Sequence, residues 1–173
     1  MSDADMQKVL NEITPKTRQL DFFTSSCGGS VKAAKGIRAL LQMWAGRITN
    51  TISFAASSGT WCIPADETRA FKNSDFYVHC AFANVTGNKT DLGDAIDWLA
   101  KTDNDIAEML SEQCDCDKEE MLGYMDNDNK GTLFSGQQCL DLGLVDSLID
   151  GDAENHITPE MLNVMRQKLA AQN

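Results

Sequence analysis

The stretch 48–60 constrains this chain more than any other. Ile48, Ile52 and Phe54 are separated by Thr, Asn and Ser, and this two-residue period predicts a strand over 48–54. Ala55-Ala56-Ser57-Ser58-Gly59-Thr60 follows at once. Small residues and a glycine there let the backbone turn sharply from strand into helix. A serine on such a turn exposes its hydroxyl at the end of a sheet. It also stands at a helix N-terminus, where free N–H groups can face a developing negative charge. Taken alone, a Ser-rich turn of this kind is ordinarily a helix cap.

The segment before it supplies the context. Leu20-Asp21-Phe22-Phe23-Thr24 reads as a strand, and Ser25-Ser26-Cys27-Gly28-Gly29-Ser30 as a turn. Its paired glycines allow backbone conformations closed to other residues and close approach of a ligand. Ser30 can cap a helix whose one face carries Val31, Ala34, Ile37, Leu41 and Trp44, and Gly46 is expected to end it. Strand, helix and strand in succession predict a βαβ unit and hence an α/β fold with a parallel sheet.

Further on, Asp75-Phe76-Tyr77-Val78-His79-Cys80 predicts a strand with His79 near its end, and 81–90 a polar loop. A long amphipathic helix is expected over 91–113, with Leu92, Ala95, Ile96, Leu99, Ile106, Met109 and Leu110 as its stripe. Asp103 interrupts that stripe, so part of the helix is expected to project from the core. Capping boxes are predicted at Asp117/Glu120 and Ser135/Gln138, flanking the loop Asp126-Asn127-Asp128-Asn129-Lys130-Gly131, and Gly143 is expected to end the second helix. A short helix is expected before Thr14-Pro15, and a last one from Thr158-Pro159-Glu160. The division is therefore an N-terminal helix over 1–15, one domain over 16–150 and a C-terminal helix over 151–173.

At 173 residues the chain can bury one real core. Its net charge of −11 argues against nucleic-acid or anionic-membrane partners. With no membrane-length apolar run and no signal-peptide pattern, the expected place is the cytoplasm. The six cysteines show no CxxC pair and are expected to be reduced and mostly small buried hydrophobes. No metal or other cofactor is expected, Cys114-Asp115-Cys116 being too few ligands for one.

In chain order stand a Gly-Gly turn, a serine on a strand-to-helix turn, a histidine ending a strand, and an acidic loop. A nucleophilic serine needs a base, a group that orients the base, and amide donors for the oxyanion. Ser57 can serve as nucleophile, His79 as base, Asp126 or Asp128 as the orienting carboxylate, and the N–H groups of Gly29 and Ser58 as the oxyanion hole.

These residues resemble the motifs of the Clp-type serine peptidases, in particular their short phage-encoded relatives, over roughly 20–149. Ser25-Ser26-Cys27-Gly28-Gly29 is similar to the family's Asn-Ser-Pro-Gly-Gly oxyanion turn. Ala55-Ala56-Ser57-Ser58-Gly59 is similar to its Ala-Ala-Ser-Met-Gly nucleophile turn, a register that makes Ser57 the nucleophile rather than Ser58. Tyr77-Val78-His79 matches Met-Ile-His, and the stretch from Leu133 to Asp146 matches the closing pattern of Ser, Glu-Ala and Gly-Leu-Val-Asp. The resemblance implies a crotonase-like spiral of βαβ units with a projecting handle helix at 91–113. It also implies cleavage of polypeptide substrates by a Ser-His-Asp triad, and assembly of identical subunits into rings that can stack.

Three departures accompany it. Cys27 replaces a proline. Gly131 stands where the family has its aspartate, so Asp128 takes that role if 129–131 are an insertion, with Asp126 as second choice. The family's first strand and pore-lining N-terminal loops have no counterpart, so docking to an unfolding ATPase is not implied. Three other readings compete. Peptidases of the signal peptide peptidase A type, including phage capsid maturation proteases, share the fold and the closing motif but use a lysine base. The loop 126–133 imitates the start of a calcium-binding EF-hand, with Lys130 in a ligand position. An inactive oligomeric scaffold of the same fold is the third.

Overall fold

The computed structural model describes residues 17–151, together with 7, 8, 10 and 11. The described helical residues Gln7, Lys8, Leu10 and Asn11 belong to the expected first helix. The expected last helix, from Thr158, lies outside the described residues.

The strands are β1 (Gln19–Ser26), β2 (Arg47–Ala56), β3 (Glu67–Val78), β4 (Thr132–Ser135) and β5 (Ser147–Ile149). The helices are α1 (Val31–Gln42), α2 (Lys89–Ser111), α3 (Lys118–Asp126) and α4 (Gly136–Asp141). In the sheet, β1 to β4 are neighbours in sequence order, and β5 also pairs with β3. The β1–β2, β2–β3 and β3–β5 pairs are all parallel, as the βαβ pattern predicts.

The described residues form two compact units. One runs to Tyr77 and resumes at Leu133; the other is 78–132. In the first, Ile37 and Leu41 of α1 pack with Ile48 and Ile63, and Leu20, Phe22 and Trp44 close the cluster. Helix α1 starts as expected: the Ser30 hydroxyl accepts the Ala33 N–H at 3.3 Å. It ends earlier than expected, at Gln42 with Met43 as its cap. Gly46 is instead the place where the Trp44 ring lies against the backbone.

Strand β2 departs from simple alternation. Thr49, Asn50 and Ser53 are buried along with its apolar residues, because a strand between two parallel neighbours has little surface left for water. Buried polar groups must find partners. Thr24 Oγ1 donates to Asn50 Oδ1 at 2.7 Å, and the Ser53 hydroxyl donates to the Thr24 carbonyl at 3.4 Å.

Strand β3 begins at Glu67, eight residues before the expected strand at Asp75. Ile52 pairs with Ala70 and Phe54 with Asp75, so β3 carries extra residues opposite a two-residue step of β2. The Ser74 hydroxyl fills the break by donating to the Ile52 carbonyl at 2.7 Å and accepting the Phe71 N–H at 3.0 Å. This irregularity hides the strand's period from the sequence. Strand β5, also unexpected, is held by Asp146: its N–H donates to the Thr68 carbonyl, and its carboxylate accepts the Thr68 N–H at 2.7 Å. The capping box of α4 is complete, from Ser135 to Gln138, and Gly143 follows it at φ 73°.

In the second unit, α3 packs on α2, burying Ile106, Ala107, Leu110, Met121 and Met125. Asn88 caps α2 with a full capping box to Asp91, a start the residue pattern did not reveal. The α2 N-terminal half matches the expectation of a projecting segment: Leu92, Ile96 and Trp98 are all about half exposed or more within this chain. Asp117 caps α3, but the Glu120 carboxylate accepts from the Tyr124 hydroxyl at 2.8 Å instead of serving the expected reciprocal bond. Cys114 and Cys116 are joined by a disulfide, a correction to the expectation of reduced thiols. Cys139 is buried, Cys62 and Cys80 are partly so, and Cys27 is exposed.

Candidate active site

In the first unit, two turns leave the carboxyl ends of β1 and β2, the end of a parallel sheet at which ligands ordinarily bind. After β2 the chain enters a single 3₁₀ turn, Ser57–Thr60, not the expected α-helix. Ser57 therefore caps no α-helix. It stands at φ 55°, in the left-handed region that non-glycine residues seldom occupy. Thr60 locks this turn: its hydroxyl donates to the Ser57 carbonyl at 2.7 Å. Ser58 and Gly59 are buried behind it.

The Gly28–Gly29 turn lies directly against Ser57. Gly28 has φ 81°, and a Cβ there would come within 2.5 Å of the Ala56 carbonyl oxygen, 2.6 Å of Ser57 Cβ and 2.9 Å of the Ser58 nitrogen. Only glycine satisfies both that conformation and that approach. Gly29 has φ 154° and open space where a side chain would be. The Ser26 hydroxyl accepts the Gly28 N–H at 3.1 Å and shapes the turn in the absence of a proline at Cys27. Behind both turns, buried Arg38 of α1 donates to the Trp61 carbonyl at 2.7 Å. The structure thus sets Ser57 and Ser58, two of the residues singled out in the sequence, against Gly28, the neighbour of Gly29.

In the second unit, His79 directly follows β3. Its Nδ1 lies 2.6 Å from the Cys80 carbonyl oxygen. A carbonyl can only accept, so Nδ1 carries the proton and Nε2 of the neutral ring keeps its lone pair. The ring stacks on Phe82, with centroids 5.9 Å apart. Burial pushes the imidazole below its ordinary value, while the Cys80 carbonyl and the Asp103 carboxylate oppose that shift. The neutral, basic form therefore persists to lower pH than in a free histidine.

Asp103 of α2 was seen in the sequence only as a flaw in an apolar stripe. Half-buried, it accepts the Ala81 N–H at 2.6 Å and the Cys80 thiol. Burial raises its carboxyl, and the Asp126 charge adds to this; Ala81, Cys80 and His79 pull the other way. Burial and the two carboxylates push the Cys80 thiol up to about 12, so it is no nucleophile.

Asp126 ends α3, and its carboxylate accepts the Asn129 N–H at 3.3 Å. Asp128 is exposed, in the middle of three successive left-handed residues, 127 to 129. Asn127 braces this loop by donating to the Gly131 carbonyl at 3.0 Å. No group of three or more metal-ligating side chains is found among the described residues, and no described helix is long and apolar enough to cross a membrane.

The Gly-Gly turn packed on a left-handed serine, the histidine after β3 and the Gly-Leu-Val-Asp clasp on β3 all lie within one sequence match. The family model described as Clp protease covers residues 5–152, and the chain belongs to the Clp protease family.

Proposed function

We propose that this Clp-like peptidase is a serine endopeptidase with Ser57 as nucleophile and His79 as general base. Nε2 of His79 takes the Ser57 hydroxyl proton as Oγ attacks the scissile carbonyl, and returns it to the leaving amine. The N–H groups of Gly29 and Ser58 stabilise the oxyanion. With Gly131 at the family's aspartate position, Asp128 is the orienting carboxylate if 129–131 are an insertion, and Asp126 is the alternative. Catalytic hydrogen bonds often tighten only when substrate binds, and that carboxylate acts on the charged imidazolium. The assembly is a ring of identical subunits acting on polypeptides.

The observation that carries this reading is the left-handed Ser57 pressed against the Gly28 turn. Strain of that kind aims a hydroxyl outward, and an ordinary cap does not need it. A fluorophosphonate probe should label Ser57, located by mass spectrometry. Ser57→Ala should abolish labelling and peptide cleavage. Ser58→Ala keeps its backbone N–H and most of the activity. Labelling of Ser58, or activity lost only in the Ser58 variant, overturns the assignment.

A further inference from the structure

We infer that Asp103 is a positioning residue that acts on His79 through an intervening peptide group. The Cys80–Ala81 peptide has two ends. Its N–H, on Ala81, donates to Asp103 Oδ1 at 2.6 Å. Its carbonyl, on Cys80, accepts from His79 Nδ1 at 2.6 Å. The order is carboxylate, N–H, C=O, then imidazole N–H. A negative charge at one end polarises the peptide and makes the carbonyl a stronger acceptor at the other. The effect fixes the Nδ1–H tautomer and favours a positive ring, the two services that a serine peptidase requires of a carboxylate beside its histidine.

The segment is built to hold this geometry. On the other side, the Cys80 N–H donates to the Met125 carbonyl at the end of α3 at 3.2 Å. Residues 79–81 are thus pinned between α3 and α2. The charged and titratable groups facing Asp103 are His79 and Cys80 from the segment after β3, and Asp126 from α3. Asp126 repels Asp103, while Ala81 and His79 favour its ionised form. A carboxylate half-buried near another is ordinarily costly, and this position can be explained by the histidine it serves.

The inference rests on the serine-peptidase reading for its catalytic meaning, but its test does not require activity. The chain holds two histidines, His79 and His156, so His156→Gln leaves one imidazole to observe by ¹⁵N-resolved NMR. In that background, the neutral ring should be protonated on Nδ1 and bare on Nε2. Asp103→Asn keeps an acceptor for Ala81 but removes the charge. It should lower the His79 pKa and shift the acid limb of kcat/KM to lower pH. With KM little changed, kcat should fall about ten- to hundredfold, by analogy with carboxylates that orient a metal-bound histidine through its other ring nitrogen. Asp103→Glu should recover part of the loss.

A neutral ring protonated on Nε2 overturns the relay without any substitution at 103. So does an Asp103→Asn variant with unaltered His79 titration. If NMR shows the expected tautomer and shift while Ser57 takes no fluorophosphonate, the relay stands and the serine-peptidase reading fails.

Discussion

The loop 126–131 carries both candidate orienting carboxylates, Asp126 and Asp128. Gly131 stands at the family's aspartate position, which points to Asp128 and Asp126 but not to the conformations around them. Three left-handed residues in a row, with Asn at 127 and 129, follow from side chains that tolerate this region. Asp103 went unrecognised because its role depends on a peptide group 22 residues away in sequence, and no local pattern reports that. Asp128→Asn should lower kcat by about 10² or more. Losing the orienting aspartate costs serine proteases on the order of 10⁴, chiefly by giving the wrong tautomer, and here the Cys80 carbonyl still selects the right one. Asp126→Asn should do less. Steady-state kinetics of the two variants decide it: if neither changes kcat, the loop is a solvated turn and His79 is held by the 79–81 segment alone.

At the scale of elements, patterns with a clean period were legible. Helix α1 followed from its apolar spacing and its Ser30 cap, α2 from its apolar spacing alone, and α4 from its capping box. Strand β3 was read only in its last third, from Asp75, because the extra residues at 71–74 break the alternation. Strand β5 is three residues long and too short for a period. The 3₁₀ turn Ser57–Thr60 is too brief to have one. Helix α2 carries a prediction of its own. Its exposed residues Leu92, Ile96 and Trp98 offer apolar surface that water does not favour, and Clp proteases generally form rings. Light scattering of the parent at micromolar concentration should give a mass well above 19.0 kDa. Ile96→Asp, at a position already 66% exposed, should weaken assembly while leaving the subunit's own melting within about 0.5 kcal/mol, the usual range for surface sites. A parent mass near one subunit, or an unaffected Ile96→Asp assembly, removes this helix face from the interface.

For the molecule as a whole, the family and the parallel sheet were legible because motif order survives even where local turns differ. The disulfide at 114 and 116 was not, since the absence of paired CxxC spacing suggested separate thiols. One contact has a consequence for how the protein opens. Arg38 spans from α1 to the Trp61 carbonyl, so the segment after the Gly-Gly turn and the segment after Ser57 share a buried tie. Hydrogen exchange proceeds through cooperative local openings, and segments tied in this way are released together. Amides at 31–38 and 58–62 should exchange at one common rate in the parent, and Arg38→Met should separate the two rates. Such a variant would have every candidate catalytic group in place and would lose the timing that keeps the oxyanion turn and the nucleophile turn in the same state.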